Sequence, residues 1–516
     1  MRLRRWLLGT CAALAMGQSP EADFIRVEAA DPHPGPLAGA LAQVEAQRLR
    51  ETVAWLADPA RQGRGLGTQG LKDAVHELEG RLKSLGLRPL GPAYRQAVPI
   101  RRVTPGGGSV ALRAGSRTFR FQAGRDAVLP PVAPGALQGP LVFVGRGIQE
   151  PGLGHDDFKG LTVRGKVVAF LPGLPEGPAW QTAELKAKYD SPRPADRYDA
   201  RLALLEKLGA KAALALEPGL AARIAAGQEP PAPYFLPARG VPGPGEPPLA
   251  RLALTPALQA SLGHPRDAHV RVVGRVDALS EPNLLARLEG SDPEAREAIL
   301  LGAHLDHLGM PGGVTHPGAD DNASGVAALL EIARILAAAP QRPRRPLLLA
   351  LWTGEEEGKF GSGHYTRHPR WPLARTRAYL NLDMLAHPWT AAELRTLALE
   401  AKLPDADTFL KGLEPAWFAE PGVATGHRGL GAMLARAGQA TGMSLHLDWT
   451  DGKGGGSDYR DFARRGVPFV RFFGNYFDGY HTPRDTPDRL DAEQLARMTR
   501  LVLATAWLAA DDDAGR

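Results

Sequence analysis

Residues 298–304 read AILLGAH, an apolar run that ends in a histidine. A helical pattern follows, ASGVAALLEIARILAAA (323–339), and after it comes a second apolar run, PLLLALW (346–352). The alternation continues with AYLNLDML (378–385), a helical stretch at 429–442, VPFVRFF (467–473) and a last helix that begins at Asp491. Near-continuous apolar strands separated by helices are typical of a sheet that helices bury on both faces. We therefore predict an α/β fold with a mixed, mainly parallel sheet and helices on both faces for residues 277–516.

Histidines and acidic residues follow these predicted strands or begin a predicted helix. They are His304, Asp306, Asp320, Asp321, Glu355, Glu356, Glu357, Asp383 and His481. Because sites in such folds gather at the carboxyl ends of strands, we expect these side chains to share one crevice. So many carboxylates would repel one another unless cations lay between them. Oxygen and imidazole ligands suit zinc, as one ion with an open position or as two ions ~3.5–4 Å apart that share a carboxylate.

The adjacent glutamates Glu355 and Glu356 suit a division of labour in hydrolysis. One carboxylate can bind a metal while its neighbour faces the bound water and accepts its proton. The one cysteine, Cys11, lies in the N-terminal leader, so carboxylates and imidazoles must hold any metal in the rest of the chain. The residues alone therefore indicate a metal-dependent hydrolase.

Several segments resemble, in the same order, the motifs of the secreted zinc aminopeptidases, a family that shares its fold with glutamate carboxypeptidase. The matching segments are GAHLDHLG (302–309), PGADDNASG (317–325), EEEGKFGS (355–362), LNLDM (380–384), GGSDY (455–459) and YHTPRDT (480–486). The chain departs from the family at Tyr459, where a histidine is usual, and at Glu357 and Lys359, where apolar residues are usual. Gly454 stands in place of a tyrosine that steadies the intermediate in some members. These departures concern substrate preference more than metal binding.

The resemblance implies a role for each site residue. His304, Asp321 and Asp383 would hold one Zn²⁺ ion, and Asp321, Glu356 and His481 would hold a second. Glu355 would be the general base, and Asp306 would orient His304. The resemblance also implies a cis peptide bond between Asp321 and Asn322, and a metallopeptidase activity that releases N-terminal residues from peptides.

The chain is too long for one ordinary domain, and its pattern changes along the sequence. Residues 18–138 are predicted to contain an N-terminal helical segment and the first part of the peptidase domain. Residues 139–276 contain short apolar strands, one amphipathic helix and a Pro/Gly-rich loop, which predicts a small β-rich module. Its segment DDFKGLTVRGKVV (156–168) resembles the protease-associated domain that is often inserted in these enzymes. Residues 277–516 are predicted to form the main part of the peptidase domain.

The first residues, 1–17, combine a basic head, a short apolar stretch and small residues, which is typical of a signal peptide. We therefore expect an exported protein, periplasmic or secreted, with no membrane span. Without Arg2, Arg4 and Arg5 of this leader, 59 basic residues remain against 56 acidic ones. Such a balance does not indicate a nucleic-acid partner, and the sequence does not specify an oligomeric state.

An aromatic stretch before His481 predicts the substrate pocket. Its residues are Phe472, Phe473, Tyr476, Phe477 and Tyr480, and Met384 follows the ligand Asp383; together they favour apolar side chains in the substrate. A carboxypeptidase of the same clan remains an alternative, with Arg471 or Arg484 available to bind a carboxylate. A cyclotransferase acting on N-terminal glutamine and a non-catalytic, receptor-like protein are two further alternatives. His364 and His368, and the 155–157 cluster, are interpreted as surface or structural residues.

Overall fold

The computed structural model describes residues 23–28, 30, 35–130, 132–190, 196–229, 234–237, 248–403 and 405–511. The predicted signal peptide, 1–17, lies outside the described residues. These divide into two compact units, a larger one of residues 23–98 and 280–511 and a smaller one of residues 99–279. Two strands, Arg95–Ala114 and Pro265–Leu288, run through the boundaries between the units.

The larger unit is built on a mixed sheet. Its strands, in spatial order, are Asp448–Thr450, Gly422–Ala424, Phe469–Phe473, Thr376–Asp383, Ala298–His304, Leu347–Trp352 and the end of Pro265–Leu288. The four strands from Phe469–Phe473 to Leu347–Trp352 are parallel, and the strands on either side of these four run antiparallel to them. The prediction of a mixed, mainly parallel sheet is confirmed.

Helices bury both faces of this sheet. The described helices of the larger unit are Pro36–Leu41, Ala46–Leu56, Gln69–Ser84, Gly325–Ala338, Phe360–Arg367, Ala391–Glu400, Ala406–Leu410, Arg428–Thr441, Tyr459–Ala463 and Ala492–Asp511. On one face, Leu300 and Leu348 share a buried cluster with Tyr365 and Phe462. The alternate positions point to the opposite face and are equally buried, as at Ile299. The helices Gly325–Ala338 and Ala492–Asp511 contact the central strands and cover that side.

The strands of the smaller unit pair with one another in a defined order. Its main strands, in spatial order, are the first part of Pro265–Leu288, Gly135–Phe143, Val167–Phe170, Ala212–Glu217, Leu249–Ala253 and Ala127–Val128, with Arg117–Gln122 paired to Arg95–Ala114. The four strands from Gly135–Phe143 to Leu249–Ala253 in this order are parallel to one another. Helices Ala183–Tyr189, Asp199–Leu208, Leu220–Ala225 and Pro256–Gln259 accompany them.

The smaller unit begins at residue 99, about forty residues before the module that the sequence predicts at 139–276. The packing of the hairpin formed by Arg95–Ala114 and Arg117–Gln122 explains the difference. Val110, Leu112 and Phe121 of the hairpin enter the same buried cluster as Leu141 and Leu214. The hairpin therefore contributes to the core of the smaller unit. Whether that unit is a protease-associated domain stays a prediction. No helix among the described residues has the length and the apolar character that crossing a bilayer requires.

Candidate metal centre

The predicted ligands lie at the carboxyl ends of neighbouring parallel strands of the larger unit. His304 ends the strand Ala298–His304, and Asp383 ends Thr376–Asp383. Glu356 lies in the turn after Leu347–Trp352. Asp321 lies in the irregular segment Ala319–Ser324, directly before the helix Gly325–Ala338. His481 comes from the loop that follows Phe469–Phe473, so five separate chain segments contribute to one site.

Asp321 lies between two groups of these side chains. Its Oδ1 is 3.3 Å from His304 Nε2, which is 3.4 Å from Asp383 Oδ1. Its Oδ2 is 3.0 Å from His481 Nε2, which is 3.2 Å from Glu356 Oε2. The two oxygens of the Asp321 carboxylate thus face different groups.

The chemistry of this donor set fits divalent zinc. His481 Nε2 is buried and makes no hydrogen bond with the described residues, although two carboxylate oxygens approach it closely. Atoms that converge without hydrogen-bond geometry are arranged as ligands of a common ion are. Burial alone would lower the pKa of His481, but the carboxylates of Glu356 and Asp321 raise it to about 11. The surroundings therefore favour positive charge at this point, and ligand atoms of His304, Asp321 and Glu356 lie within 4.8 Å of one another.

Glu355 differs from its neighbour Glu356 in its surroundings. Its carboxylate is buried, and burial raises its pKa, with Lys359 acting in the opposite direction. Lys359 Nζ lies 3.0 Å from Glu355 Oε1. Among the described residues no histidine forms an ion pair with Glu355, whereas both His307 and His481 contact Glu356. Glu355 is thus placed beside the ligands without being paired to them.

Asp306 contacts His304 and the glutamate turn through different groups. The main-chain carbonyl of Asp306, not its carboxylate, lies 3.1 Å from His304 Nδ1. The carboxylate accepts the backbone N–H groups of Glu355, at 3.1 Å, and Glu356, at 3.4 Å. This residue therefore holds the glutamate turn in place and also orients His304. Burial raises the pKa of Asp306 to about 7.

Two residues that the sequence analysis did not single out hold the segment around Asp321. The Asp485 carboxylate accepts the N–H groups of Asp320, at 2.8 Å, and Asp321, at 3.0 Å. The guanidinium of Arg64 is fully buried and donates to the carbonyl groups of Leu305, Pro317 and Gly318. The peptide bond between Asp321 and Asn322 is cis, as the resemblance implies.

His307 and His387 also belong to the surroundings of the site. His307 Nδ1 lies 2.6 Å from Glu356 Oε1, which leaves Oε2 of the same carboxylate to face His481. His387 Nδ1 lies 2.6 Å from Asp320 Oδ2, and its ring stacks on Phe477 at 3.8 Å. His307 lies inside the GAHLDHLG segment (302–309), so its sequence position could have identified it as a residue near the site. Nothing in the sequence around His387 indicates its role.

The residues predicted for the substrate pocket are divided by the structure. Phe472 is fully buried in its strand and Met384 is 2% exposed, and their contact with substrate stays a prediction. Phe473, Tyr476, Phe477 and Tyr480 are partly exposed. Tyr480 stacks on His481 at 3.8 Å, Tyr476 meets Tyr480 edge to face at 5.1 Å, and Phe473 lies 4.8 Å from Tyr476. A chain of aromatic rings therefore leads away from one ligand.

The two arginines of the carboxypeptidase alternative already have acidic partners. Arg471 is 6% exposed, and its guanidinium lies 3.1 Å from Asp448. Arg484 pairs with Asp478 at 3.0 Å on the surface. Neither is an unpaired cation directed at the ligand cluster.

In the smaller unit, Asp157 accepts the N–H groups of Arg146 and Ile148, which agrees with a structural loop.

Comparisons with known proteins agree with this geometry. Residues 283–506 match the model of peptidase family M28. The leupeptin-inactivating enzyme 1 of Streptomyces exfoliatus is 36% identical over 107 residues, which are 20% of this chain and 23% of that enzyme. Aminopeptidase YwaD of Bacillus subtilis is 28% identical over 220 residues, 41% of each chain, so the matches span less than half of either relative. The solved aminopeptidase from Aneurinibacillus sp. strain AM-1 has a TM-score of 0.53 at 20% identity, over 91% of this chain and 95% of that one, which shows a shared fold.

Proposed function

We propose that this chain, which belongs to peptidase family M28 through residues 283–506, is an aminopeptidase that binds two zinc ions and releases N-terminal residues from peptides. One observation carries the proposal: the two oxygens of Asp321 face separate ligand groups, His304 with Asp383 and His481 with Glu356. A carboxylate shared in this way suits a pair of ions better than a single one. The proposal covers the number of ions as well as their ligands.

Zinc bound by this set would lower the pKa of a water molecule and polarise the scissile carbonyl. Glu355 would serve as the general base toward the attacking water, because its carboxylate lies beside the proposed ligands and, among the described residues, pairs with Lys359 and not with a histidine. The protonated Glu355 then donates to the leaving amine. Asp306 keeps Glu355 in place by accepting its backbone N–H. Asp485 does the same for Asp321.

An aminopeptidase is favoured over the three alternatives. A carboxypeptidase needs a cation for the substrate carboxylate, and Arg471 and Arg484 are both paired with aspartates. A receptor-like protein that has lost ligands is disfavoured because every ligand position is filled. A cyclotransferase that uses one zinc ion is disfavoured by the two-sided arrangement around Asp321. The names of the similar enzymes, which include aminopeptidases, support the same choice.

We further propose that the substrates are peptides with an apolar N-terminal residue. The rings of Phe473, Tyr476 and Tyr480 lead from His481 and are partly exposed. Apolar side chains gain most from contact with such surfaces. The leader at 1–17 supports export to the periplasm or the medium, and the resemblance at 156–168 supports a protease-associated domain.

The test combines metal analysis with a substrate panel. We expect close to two zinc ions per chain, loss of hydrolysis on exhaustive chelation, and recovery on addition of zinc. Among aminoacyl substrates, leucine and phenylalanine should be cleaved faster than glutamate or lysine, and N-blocked peptides should not be cleaved. Activity that survives chelation, or cleavage of N-blocked peptides from the carboxyl end, would overturn the proposal.

A further inference from the structure

We propose that Lys359 is a positioning residue, whose ammonium group holds the carboxylate of Glu355 in the orientation that its reaction requires. The inference rests on the proposed function, since it concerns the residue assigned there as the general base. It assigns to the chain a reaction-supporting residue that binds neither metal nor substrate.

The contact joins two side chains that are both largely withdrawn from water. Lys359 Nζ lies 3.0 Å from Glu355 Oε1, and the two side chains are 13% and 8% exposed. An exposed ion pair contributes little order, because water competes for both partners. In a buried pair, removal of one partner leaves an uncompensated charge in the interior, so the loss of Lys359 should affect Glu355 more than the loss of an exposed partner would. One oxygen of the Glu355 carboxylate is therefore in ion-pair contact with the Lys359 ammonium, and among the described residues this oxygen accepts no hydrogen bond.

The backbone of the same turn places the two side chains together. The N–H of Lys359 donates to the carbonyl of Glu355 at 2.9 Å, and the N–H of Phe360 donates to Gly354 at 2.9 Å. Lys359 has φ +61° and ψ +41°, in the left-handed region, where residues other than glycine are uncommon. A glycine would adopt this conformation more easily. The chain thus holds a lysine at a position where its backbone conformation is unfavourable for it, and such positions concentrate at functional sites.

A purely structural role is the competing account. Asp458 is a second buried acid whose charge acts on Lys359, so the lysine could serve only to balance the negative charge of the interior. In that case its loss would lower stability or zinc binding. It would also act on the rate independently of Glu355. The two accounts therefore differ in whether the effect of Lys359 passes through Glu355.

A double-mutant cycle separates them. Lys359→Met removes the charge at similar length, and we expect kcat to fall about tenfold to a hundredfold, a part of what general-base catalysis contributes, with KM changed less than about threefold. Zinc content should match the wild type, whereas the melting temperature should fall, because the buried Glu355 carboxylate loses its cationic partner. In a Glu355→Gln background, Lys359→Met should cause no further loss of the residual rate, because the carboxylate that it positions is already gone. Lys359→Arg, which keeps the charge, should give an intermediate kcat.

Lys83→Met is the matched control, since Lys83 forms an ion pair with Glu79 at the same i,i+4 spacing but is 55% exposed. It should have wild-type kinetics. Wild-type kcat in Lys359→Met, an equal loss in both backgrounds, or loss of zinc would overturn the inference. If Lys359→Met does not fold, Lys359→Arg carries the test: it must lower kcat when Glu355 is present and must leave the residual rate unchanged in the Glu355→Gln background. An inactive wild-type protein, or a fully active Glu355→Gln, would instead overturn the proposed function.

Discussion

Glu355 and Glu356 are adjacent in sequence, but their side chains have different neighbours. Glu356 lies within 3.2 Å of His481 and 2.6 Å of His307. Glu355 contacts Lys359 instead. Because adjacent residues in a turn point in different directions, one carboxylate can join the ligands while the other stays available for proton transfer.

The same substitution at these two positions should therefore have different effects. In Glu355→Gln, we expect zinc content to be unchanged and kcat to fall by about 10²–10⁴-fold, because proton transfer is lost while the ligands remain. In Glu356→Gln, we expect the zinc content to fall by about one ion per chain. Atomic absorption and steady-state kinetics measure both. Glu400→Gln, an exposed residue at the end of the helix Ala391–Glu400, is the control. Metal loss in the first variant and not in the second would reverse the assignment.

At the scale of elements, a buried ion-pair network joins strands of the smaller unit. Glu217 ends the strand Ala212–Glu217 and is 3% exposed. It accepts hydrogen bonds from Arg251 of the neighbouring strand, at 2.9 Å, from Tyr198, at 2.5 Å, and from Arg223. Burial alone would raise the pKa of Glu217, but the bonds from Arg251 and Tyr198 outweigh burial and lower it. The network stabilises the folded unit while Glu217 is ionised.

The contribution of this network should depend on pH in a defined direction. A pKa that is lower in the folded state gives stability that is present above the ordinary glutamate pKa of about 4.3 and is lost as the pH falls through the folded value. We expect Glu217→Gln to lower the free energy of unfolding by about 2 kcal/mol at pH 7, because it removes the buried carboxylate and leaves Arg251 and Arg223 paired with Glu229 alone. That difference should shrink below about pH 4.5. Urea unfolding of both proteins from pH 7 to pH 3.5 measures it. A difference that is constant with pH would contradict this account, and zinc content should not change.

At the scale of the whole molecule, the proposed ligands and the residues that hold them all belong to the larger unit. They come from separate segments of that unit, so bound zinc would connect the ends of several strands. A ligand that binds only the folded state stabilises it by about 4 kcal/mol when its concentration is a thousand times its Kd. That stabilisation should therefore be concentrated in one part of the chain.

Hydrogen exchange of the zinc-loaded and the chelated protein tests this expectation. Zinc should slow exchange around residues 302–325, 353–360, 380–387 and 475–486, where the ligands and their supporting residues lie. Residues 99–279 should exchange at similar rates in both forms. Equal changes in the two units would contradict a zinc site confined to the larger unit.

Features that depend on local order along the chain could be predicted without the structure. Apolar runs alternating with helical periods specify a parallel sheet, and strand ends that carry His304 and Asp383 specify where a site forms, since parallel strands end at one edge. The division of labour between the adjacent glutamates could be predicted from their residue types, and the cis bond after Asp321 from the resemblance of a short motif to a known family. These features need only the residue and its near neighbours.

Groups that are distant in sequence meet only as a consequence of packing. The Asp306 carboxylate accepts the backbone N–H of Glu355, Arg471 is paired with Asp448, and Phe472 is buried. Each of these contacts depends on packing between segments that are remote in sequence. The boundary at residue 99 likewise follows from where a hairpin buries its apolar side chains. The physical reason is the same in each case: burial and pairing depend on the distance between groups in space, and local sequence patterns do not contain that distance.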